Sequence, residues 1–321
     1  VVTTTANSKR MATLEVSGRL HLGNTTGHDF GTVTTSGAGD RTIQLQSSTF
    51  PSGDFSSFNT AGGGTVEYDG TVILPTQNTY NNVSFTSAGT KTLPNADLTI
   101  NGNFSVFSGT VTNAVNNRSV VLVSSTGDFT NNGVFTVGSG IIIIGRHLVN
   151  SGAAAVFNGG TGTFGLRVAG DLTNSTSATF NISTDSLGVR GTLTNSATFT
   201  GGAGPIRVSG NLNNTGGMFT GSSGIVSVTG SLTNNATYTA GTGATTIQGS
   251  YVNSGGSATH NADSNAMTIT GGFTNSTSAT FNANTGSVST SGNWNNSSTF
   301  NAGTGSVTFN SASAQTLTGA T

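Results

Sequence analysis

The sequence predicts an all-β fold, a three-faced parallel β-helix (β-solenoid) with about 21 residues per coil. Three observations lead to this prediction. An apolar residue followed two places later by Asn recurs along the chain, an aromatic residue recurs a few places after it, and a turn residue with two alternating aliphatics completes each repeat. The repeats begin at intervals of about 19 to 24 residues, as in solenoid proteins, where each repeat forms one coil.

The first strand of each predicted coil carries the apolar residue and the Asn. Because side chains alternate between the two faces of a strand, residues two places apart point the same way, here into the coil. An inward Asn is costly to bury alone, but stacked side-chain amides can hydrogen-bond to one another. We therefore interpret this row as a structural Asn ladder. Its members are Asn131, Asn150, Asn174, Asn195, Asn214, Asn234, Asn253, Asn275 and Asn296.

The second strand carries the aromatic residue. With coils about 4.8 Å apart, equivalent side chains of successive coils stack on one another. We interpret this row as a structural aromatic stack in the core, in which His260 is a packed histidine and not a ligand. Its members are Phe135, Phe157, Phe180, Phe199, Phe219, Tyr238, His260, Phe281 and Phe300.

A turn and a third strand complete each coil. The turn position after each aromatic accepts only Gly, Asn or Asp, which are the residues that enter the left-handed region most readily, so the sequence predicts a turn there. Aliphatic pairs at period two, such as Leu187 with Val189, then predict the third strand. The turn residues are Gly140, Gly162, Asp185, Gly204, Gly224, Gly243, Asn265, Gly286 and Gly305.

The regularity of the repeat varies along the chain. We expect irregular coils over residues 1–103, regular repeats over 104–310, and the start of a further coil or module over 311–321. Residues 1–7 lack an initiator Met and a signal-peptide pattern, which suggests a portion of a longer polypeptide. The segment from Gly305 to Leu317 loosely parallels that from Gly64 to Leu74, so we expect a larger module to recur after Thr321.

Composition argues against several functional classes. The net charge is −1 and only 7% of residues are charged, so nothing favours binding to nucleic acid. Cys is absent, which excludes a disulfide framework and a Cys-based metal site. No apolar run approaches the roughly 20 residues of a membrane span. The polarity comes from Ser, Thr and Asn, which we place on outward faces and turns.

Three short segments in the first third of the chain resemble a known class of proteins. They are Thr79-Tyr-Asn-Asn-Val-Ser-Phe85, Gly89-Thr-Lys-Thr-Leu93 and Leu98-Thr-Ile-Asn-Gly-Asn-Phe104, and Gly-x-Leu-Thr-Asn coils follow them. Together they resemble very long secreted surface proteins of Bacteroidota, and the coils are similar to the repeats of filamentous-haemagglutinin-type adhesins. The resemblance implies an exported β-helix at the cell surface or in a filament, used in adhesion or gliding.

Catalytic chemistry in a β-helix would need polar groups on outward faces of adjacent coils. One surface cluster qualifies: Asp128, His147 and Asp171 precede the first strands of consecutive coils. A His between two carboxylates could act as a base or hold a cation. The simpler interpretation is an exposed ladder of compensating charges. We therefore predict no catalytic residue, no cofactor and no metal site.

Outward Thr residues beside the aromatic stack suggest another function. Thr doublets flank Phe199 and Tyr238, and stacked doublets of this kind resemble the flat face of β-helical ice-binding proteins. In most coils the second Thr is replaced by Asn, which impairs the pattern. The doublets are Thr198 with Thr200 and Thr237 with Thr239, and the replacements are Asn158, Asn181, Asn261, Asn282 and Asn301.

The sequence as a whole favours an extracellular structural or adhesive β-solenoid that forms a rod, stalk or filament on a bacterial surface. The alternatives are an ice-binding β-helix and a β-helix enzyme acting on polysaccharide. Expected partners are other copies of the chain, end to end or side by side, or the rest of a longer polypeptide. A glycan or an abiotic surface is a further candidate partner, and neither nucleic acid nor a membrane span is expected.

Overall fold

The computed structural model describes residues 2–4, 12–23, 25–60, 62–123, 125, 127–162 and 165–319. It is an all-β solenoid of about 14 turns with three faces, and equivalent strands lie about 21 residues apart. This confirms the predicted fold class. The chain divides into two compact units, Val1–Val149 with Ala154–Gly162 and Asn150–Ala153 with Thr163–Thr321. No helix long and apolar enough to cross a membrane occurs in the described part of the chain.

The three faces correspond to the three strands of each coil. The first face carries the Asn row, the second the aromatic row and the third the aliphatic pairs. In the first unit, the first-face strands are Val2–Thr4, Arg19–Leu22, Thr42–Leu45, Thr65–Asp69, Asn82–Thr86, Phe104–Val106 and Phe129–Asn131. The second-face strands are Val72–Ile73, Thr90–Thr92, Thr110–Thr112, Val134–Thr136 and Val156–Asn158. The third-face strands are Thr79–Tyr80, Leu98–Ile100, Val120–Leu122 and Ile142–Ile144.

The beginning of the first unit differs from the regular coils. Its first-face sheet already has four strands before the second face begins at Val72 and the third at Thr79. The intervening chain forms a separate parallel sheet of three strands, Thr13–Val16, Asp29–Thr35 and Ser52–Asp54. This stretch therefore departs from the three-strand coil.

The second unit consists of regular coils. Its first-face strands are Leu172–Ser175, Leu193–Asn195, Leu212–Asn214, Leu232–Asn234, Tyr251–Ser254, Phe273–Ser276, Trp294–Asn296 and Leu317–Gly319. The second-face strands are Thr179–Asn181, Thr198–Thr200, Met218–Thr220, Thr237–Thr239, Thr259–Asn261, Thr280–Asn282 and Thr299–Asn301. The third-face strands are Leu166–Val168, Leu187–Val189, Ile206–Val208, Val226–Val228, Thr245–Ile247, Met267–Ile269, Val288–Thr290 and Val307–Phe309. The strand Leu148–Ser151 contributes residues to both units.

Alternation of side chains explains what each face contributes to the core. First-face and third-face strands bury their two outer residues, as Leu193 and Asn195 do, and turn the middle residue outward. Second-face strands do the opposite, so Phe199 is buried between Thr198 and Thr200. Parallel pairing without a register shift then aligns like residues of successive coils. As a result the second face presents two outward rows of side chains.

The structure corrects the predicted reason for the glycine turns. Gly140, Gly204 and Gly243 do not have the positive φ that a left-handed turn would give them. Instead, a Cβ at each would lie closer than 3.0 Å to a carbonyl oxygen of the preceding coil, that of Arg118 for the first and that of Asp185 for the second. The chain turns at these positions as predicted, but the close approach of two coil backbones, and not a left-handed conformation, selects glycine.

Left-handed residues occur instead in the turn between the first and second faces. Thr176 and Ser177 have φ of 56° and 61°, and the equivalent Thr277 and Ser278 have φ of 59° and 61°. Both pairs lie between the Asn of the first face and the aromatic residue of the second, where the number of residues differs from coil to coil. In these two coils the chain turns through two consecutive left-handed residues, which costs backbone energy that the flanking strands must offset.

Candidate functional site

The Asn row of the second unit forms a continuous hydrogen-bonded ladder. From Asn150 to Asn296 each side-chain Nδ2 donates to the Oδ1 of the Asn in the next coil, at 2.8 to 2.9 Å. The same Nδ2 also donates to a backbone carbonyl at the next second-face strand, as from Asn174 to Thr198 and from Asn214 to Thr237, both at 2.8 Å. Each amide thus ties the first face to the corner of the second.

The side-chain amides of the ladder make structural hydrogen bonds in the core. Its members from Asn150 to Asn275 are fully buried, while Asn296 in a later coil is half-buried. A buried amide with its donors and acceptors satisfied stabilises a unique register, and a chain of aligned hydrogen bonds strengthens each member. These residues therefore offer no group for catalysis or ligand binding.

The charged surface cluster has a structural function that the sequence did not reveal. The Oδ1 of Asp128 accepts the backbone N–H of His147 at 3.3 Å and lies 3.6 Å from the Nε of Arg146. In the second unit, the Oδ1 of Asp171 accepts the backbone N–H of Thr192 at 2.8 Å. Each carboxylate therefore caps the backbone of the following coil.

Other residues at this corner position make the same bond. The side chain of Asn103 accepts the N–H of Asp128 at 2.9 Å, and that of Asn211 accepts the N–H of Ser231 at 2.9 Å. The signal in the sequence is a recurring short acceptor side chain immediately before the first-face strand. It is present at Asn103, Asp128, Asp171, Asn211, Ser231, Ser250 and Asn293, and the equivalent Asn82 is the first residue of its strand.

The structure does not assemble the cluster into a metal site. Asp128 and His147 belong to the first unit and Asp171 to the second. Within the described residues, no group of three or more His, Asp or Glu side chains is arranged to hold a metal ion. The carboxylates act on backbone amides, which leaves the ladder of capping groups as the interpretation that the geometry favours.

The aromatic row is a stack of nearly parallel rings in the second unit. Between Phe180 and Phe300, successive ring centroids are 4.5 to 5.3 Å apart, with interplanar angles of 4° to 13°. In the first unit, the rings of Phe135 and Phe157 are tilted at 36° with centroids 5.5 Å apart. Every member is buried except Phe300, which is half-buried in a coil near the end of the stack.

His260 lies inside this stack. Its ring is 4.7 Å from Tyr238 and 4.6 Å from Phe281, and Tyr251 meets it edge-on at 5.1 Å. Neither ring nitrogen has a hydrogen-bond partner among the described residues. Burial disfavours the charged imidazolium and lowers the pKa of His260 to about 3. The side chain therefore packs as a neutral aromatic ring at physiological pH.

We expect His260 to make the protein acid-sensitive. Its folded pKa lies below the usual 6.5, so the unfolded state takes up a proton first as the pH falls. The stability that depends on neutral His260 is fully present above pH 6.5 and is lost on the way down to about pH 3. At about 1.4 kcal/mol per pH unit, the loss by pH 4 is on the order of 3 kcal/mol.

The check is urea unfolding of the wild type and of His260→Phe between pH 7.5 and 4. As the pH falls to 4, the wild type should lose on the order of 3 kcal/mol of unfolding free energy relative to His260→Phe, which has no imidazole to protonate. Parallel pH profiles for the two proteins would contradict the assignment of a buried neutral imidazole.

The outward rows of the second face are uncharged. In the second unit the first row is Thr apart from Met218, and the second row is either Thr or Asn. Where Asn residues are adjacent they bond to each other: Asn282 donates to Asn261 at 2.8 Å and Asn301 donates to Asn282 at 2.7 Å. The second face is thus a regular polar surface. It differs from a pure Thr array in two ways, because one row contains a Met and the other contains Asn amides that bond to each other.

Comparisons with known proteins add no relative. No family model matches the chain. Neither a curated protein nor a solved structure shows significant similarity to it. Its function is therefore inferred from the geometry of the coils.

Proposed function

We propose that the chain is a structural segment of an extracellular rod, stalk or filament on a bacterial surface, with its polar outward faces contacting other rods or the surface. The continuous Asn ladder of the second unit carries this proposal. Seven successive amide-to-amide bonds run from Asn150 to Asn296 and join one coil to the next. Such a core contributes length and stiffness.

The outward chemistry supports the same proposal. Reactive side chains are few, and the best-placed carboxylates, Asp128 and Asp171, are engaged by backbone N–H groups. An enzyme acting on polysaccharide would need such carboxylates directed at a substrate, free to transfer protons. Hydroxyl and amide rows without charge are suited to packing against another neutral surface.

The last described coil of the second unit indicates what the chain would bind. Phe309 is 39% exposed and Leu317 is 57% exposed, whereas their equivalents inside the stack, such as Val228 and Leu232, are fully buried. A further coil, from the same polypeptide or from another copy, would cover these side chains. Because solenoid coils are stabilised by their neighbours, we propose that this surface is an end-to-end contact.

The experiment is sedimentation and electron microscopy of the purified chain. We expect concentration-dependent association into fibres of uniform width, weakened by Phe309→Asp because a carboxylate would have to be buried in the contact. Thr308→Asp adds the same charge to the adjacent, outward position and should leave association unchanged. Discrete monomers at every concentration, or equal effects of the two variants, would contradict the end-to-end contact.

A further inference from the structure

The first unit contains a cleft in its irregular part. Its volume is about 1040 Å³. One wall is the segment 48–60, which includes the strand Ser52–Asp54 of the separate three-stranded sheet. The other wall is the segment 73–79, which joins the first second-face strand to the first third-face strand. The cleft thus lies where the irregular chain meets the first complete coil.

The cleft is held in shape by bonds within its walls. The backbone N–H of Ile73 donates to the Oγ of Ser48 at 3.3 Å, which joins the two walls. The Nε2 of Gln77 donates to the carbonyl of Thr79 at 2.7 Å. The ring of Phe50 packs edge-on against Phe55, with centroids 4.7 Å apart. A preformed cleft of this kind is the usual form of a small-molecule site.

The lining combines apolar surface with neutral polar groups. Half-buried Phe50, Pro75 and 62%-exposed Ile73 supply the apolar part. Ser52, Thr76 and other hydroxyl and amide side chains supply donors and acceptors. None of the described residues that line the cleft is charged. A charged ligand would lose its hydration here without gaining an opposite charge.

Asn59 supplies an acceptor that lacks a donor. The residue lines the cleft and is only 5% exposed. Its backbone is fixed, because its N–H donates to Phe55 and its carbonyl accepts the Nδ2 of Asn101, both at 2.9 Å. Its Oδ1 is buried with no hydrogen-bond partner among the described residues. Such an atom is unfavourable, and a bound hydroxyl group would satisfy it if the side chain turned towards the cleft.

We propose that this cleft binds a short neutral oligosaccharide. A sugar ring has apolar C–H faces that match Phe50 and Ile73, and a rim of hydroxyls that can donate and accept at the polar side chains. A purely apolar ligand would leave those polar groups unsatisfied, and an acidic one would meet no cation. The volume is that of a site for a ligand of two or three sugar units. The proposal goes beyond the structural role and does not depend on it.

The test is calorimetric titration of the chain with four neutral trisaccharides: maltotriose, cellotriose, mannotriose and triacetylchitotriose. Trigalacturonate serves as the acidic control, and the uncharged dye N-phenyl-1-naphthylamine serves as the apolar control. At least one neutral trisaccharide should bind and saturate at one site, and trigalacturonate should not bind. Absence of binding by all four neutral trisaccharides would overturn the proposal. Binding of the dye alone would overturn it as well.

Substitutions inside and outside the cleft test whether the trisaccharide binds there. Ile73→Asp places a charge on an exposed residue of the cleft and should weaken trisaccharide binding at least tenfold without unfolding the protein. Val115→Asp is the matched control, because Val115 is a 73%-exposed residue of the same unit that does not line the cleft. Asn59→Leu should also weaken binding, provided its circular dichroism matches the wild type. Equal affinity of the Ile73 variant and the wild type would overturn the assignment, whatever the outcome for fibre assembly.

Discussion

Replacing Phe199 by Ala is expected to lower the free energy of unfolding by about 3–5 kcal/mol. Phe199 is fully buried, and its ring stacks between Phe180 at 5.3 Å and Phe219 at 4.5 Å. The substitution removes a large apolar surface and both ring contacts, and the neighbouring coils cannot collapse into the cavity without losing their backbone pairing. Urea unfolding followed by circular dichroism measures the change.

The control for this prediction is Thr198→Ala on the same strand. Thr198 points outward, so its replacement should change the free energy of unfolding by less than about 0.5 kcal/mol. Equal effects of the two substitutions would contradict the inward assignment of the aromatic row.

Replacing Asn214 by Asp is expected to have an effect of similar size, about 3–5 kcal/mol, because it puts a charge without a cation into the core. The Nδ2 of Asn214 donates to Asn234 and to the carbonyl of Thr237, both at 2.8 Å. A carboxylate there would face two acceptors and donate to neither. Protonation at low pH restores one donor, so the loss measured by urea unfolding should shrink as the pH is lowered.

Asn213→Asp is the matched control for the ladder. It makes the same chemical change at the adjacent residue, which points outward and is half-exposed. We expect its effect on unfolding to stay below about 0.5 kcal/mol. If Asn214→Asp were tolerated as well as Asn213→Asp, the ladder could not be a major source of stability.

Sequence reasoning predicted the regular coils because every coil repeats the same environment. Asn195 and Phe199 meet the same neighbours as their equivalents one coil away, so the inward positions recur in the sequence at a fixed spacing. Periodicity therefore specified which side chains point inward and which three strands make a coil.

Features that depend on the distance between coils were harder to predict. The glycine at position 204 is required by the approach of the Asp185 carbonyl, which no torsional preference reveals. The capping function of Asp171 depends on an N–H from the next coil. The cleft beside Phe50 lies in a stretch that does not repeat, so periodicity gave no information about it.

The direction of the hydrogen bonds has a mechanical consequence. In the second unit, both the strand pairing and the Asn ladder run from coil to coil, along the direction in which the coils are stacked. Tension along that direction loads the bonds of the terminal coil first, since each coil is held only by its neighbours. The unit then yields one coil at a time, and each coil of about 21 residues releases roughly 70 Å of chain. A tether built this way dissipates a sudden pull in small steps and leaves the remaining coils intact.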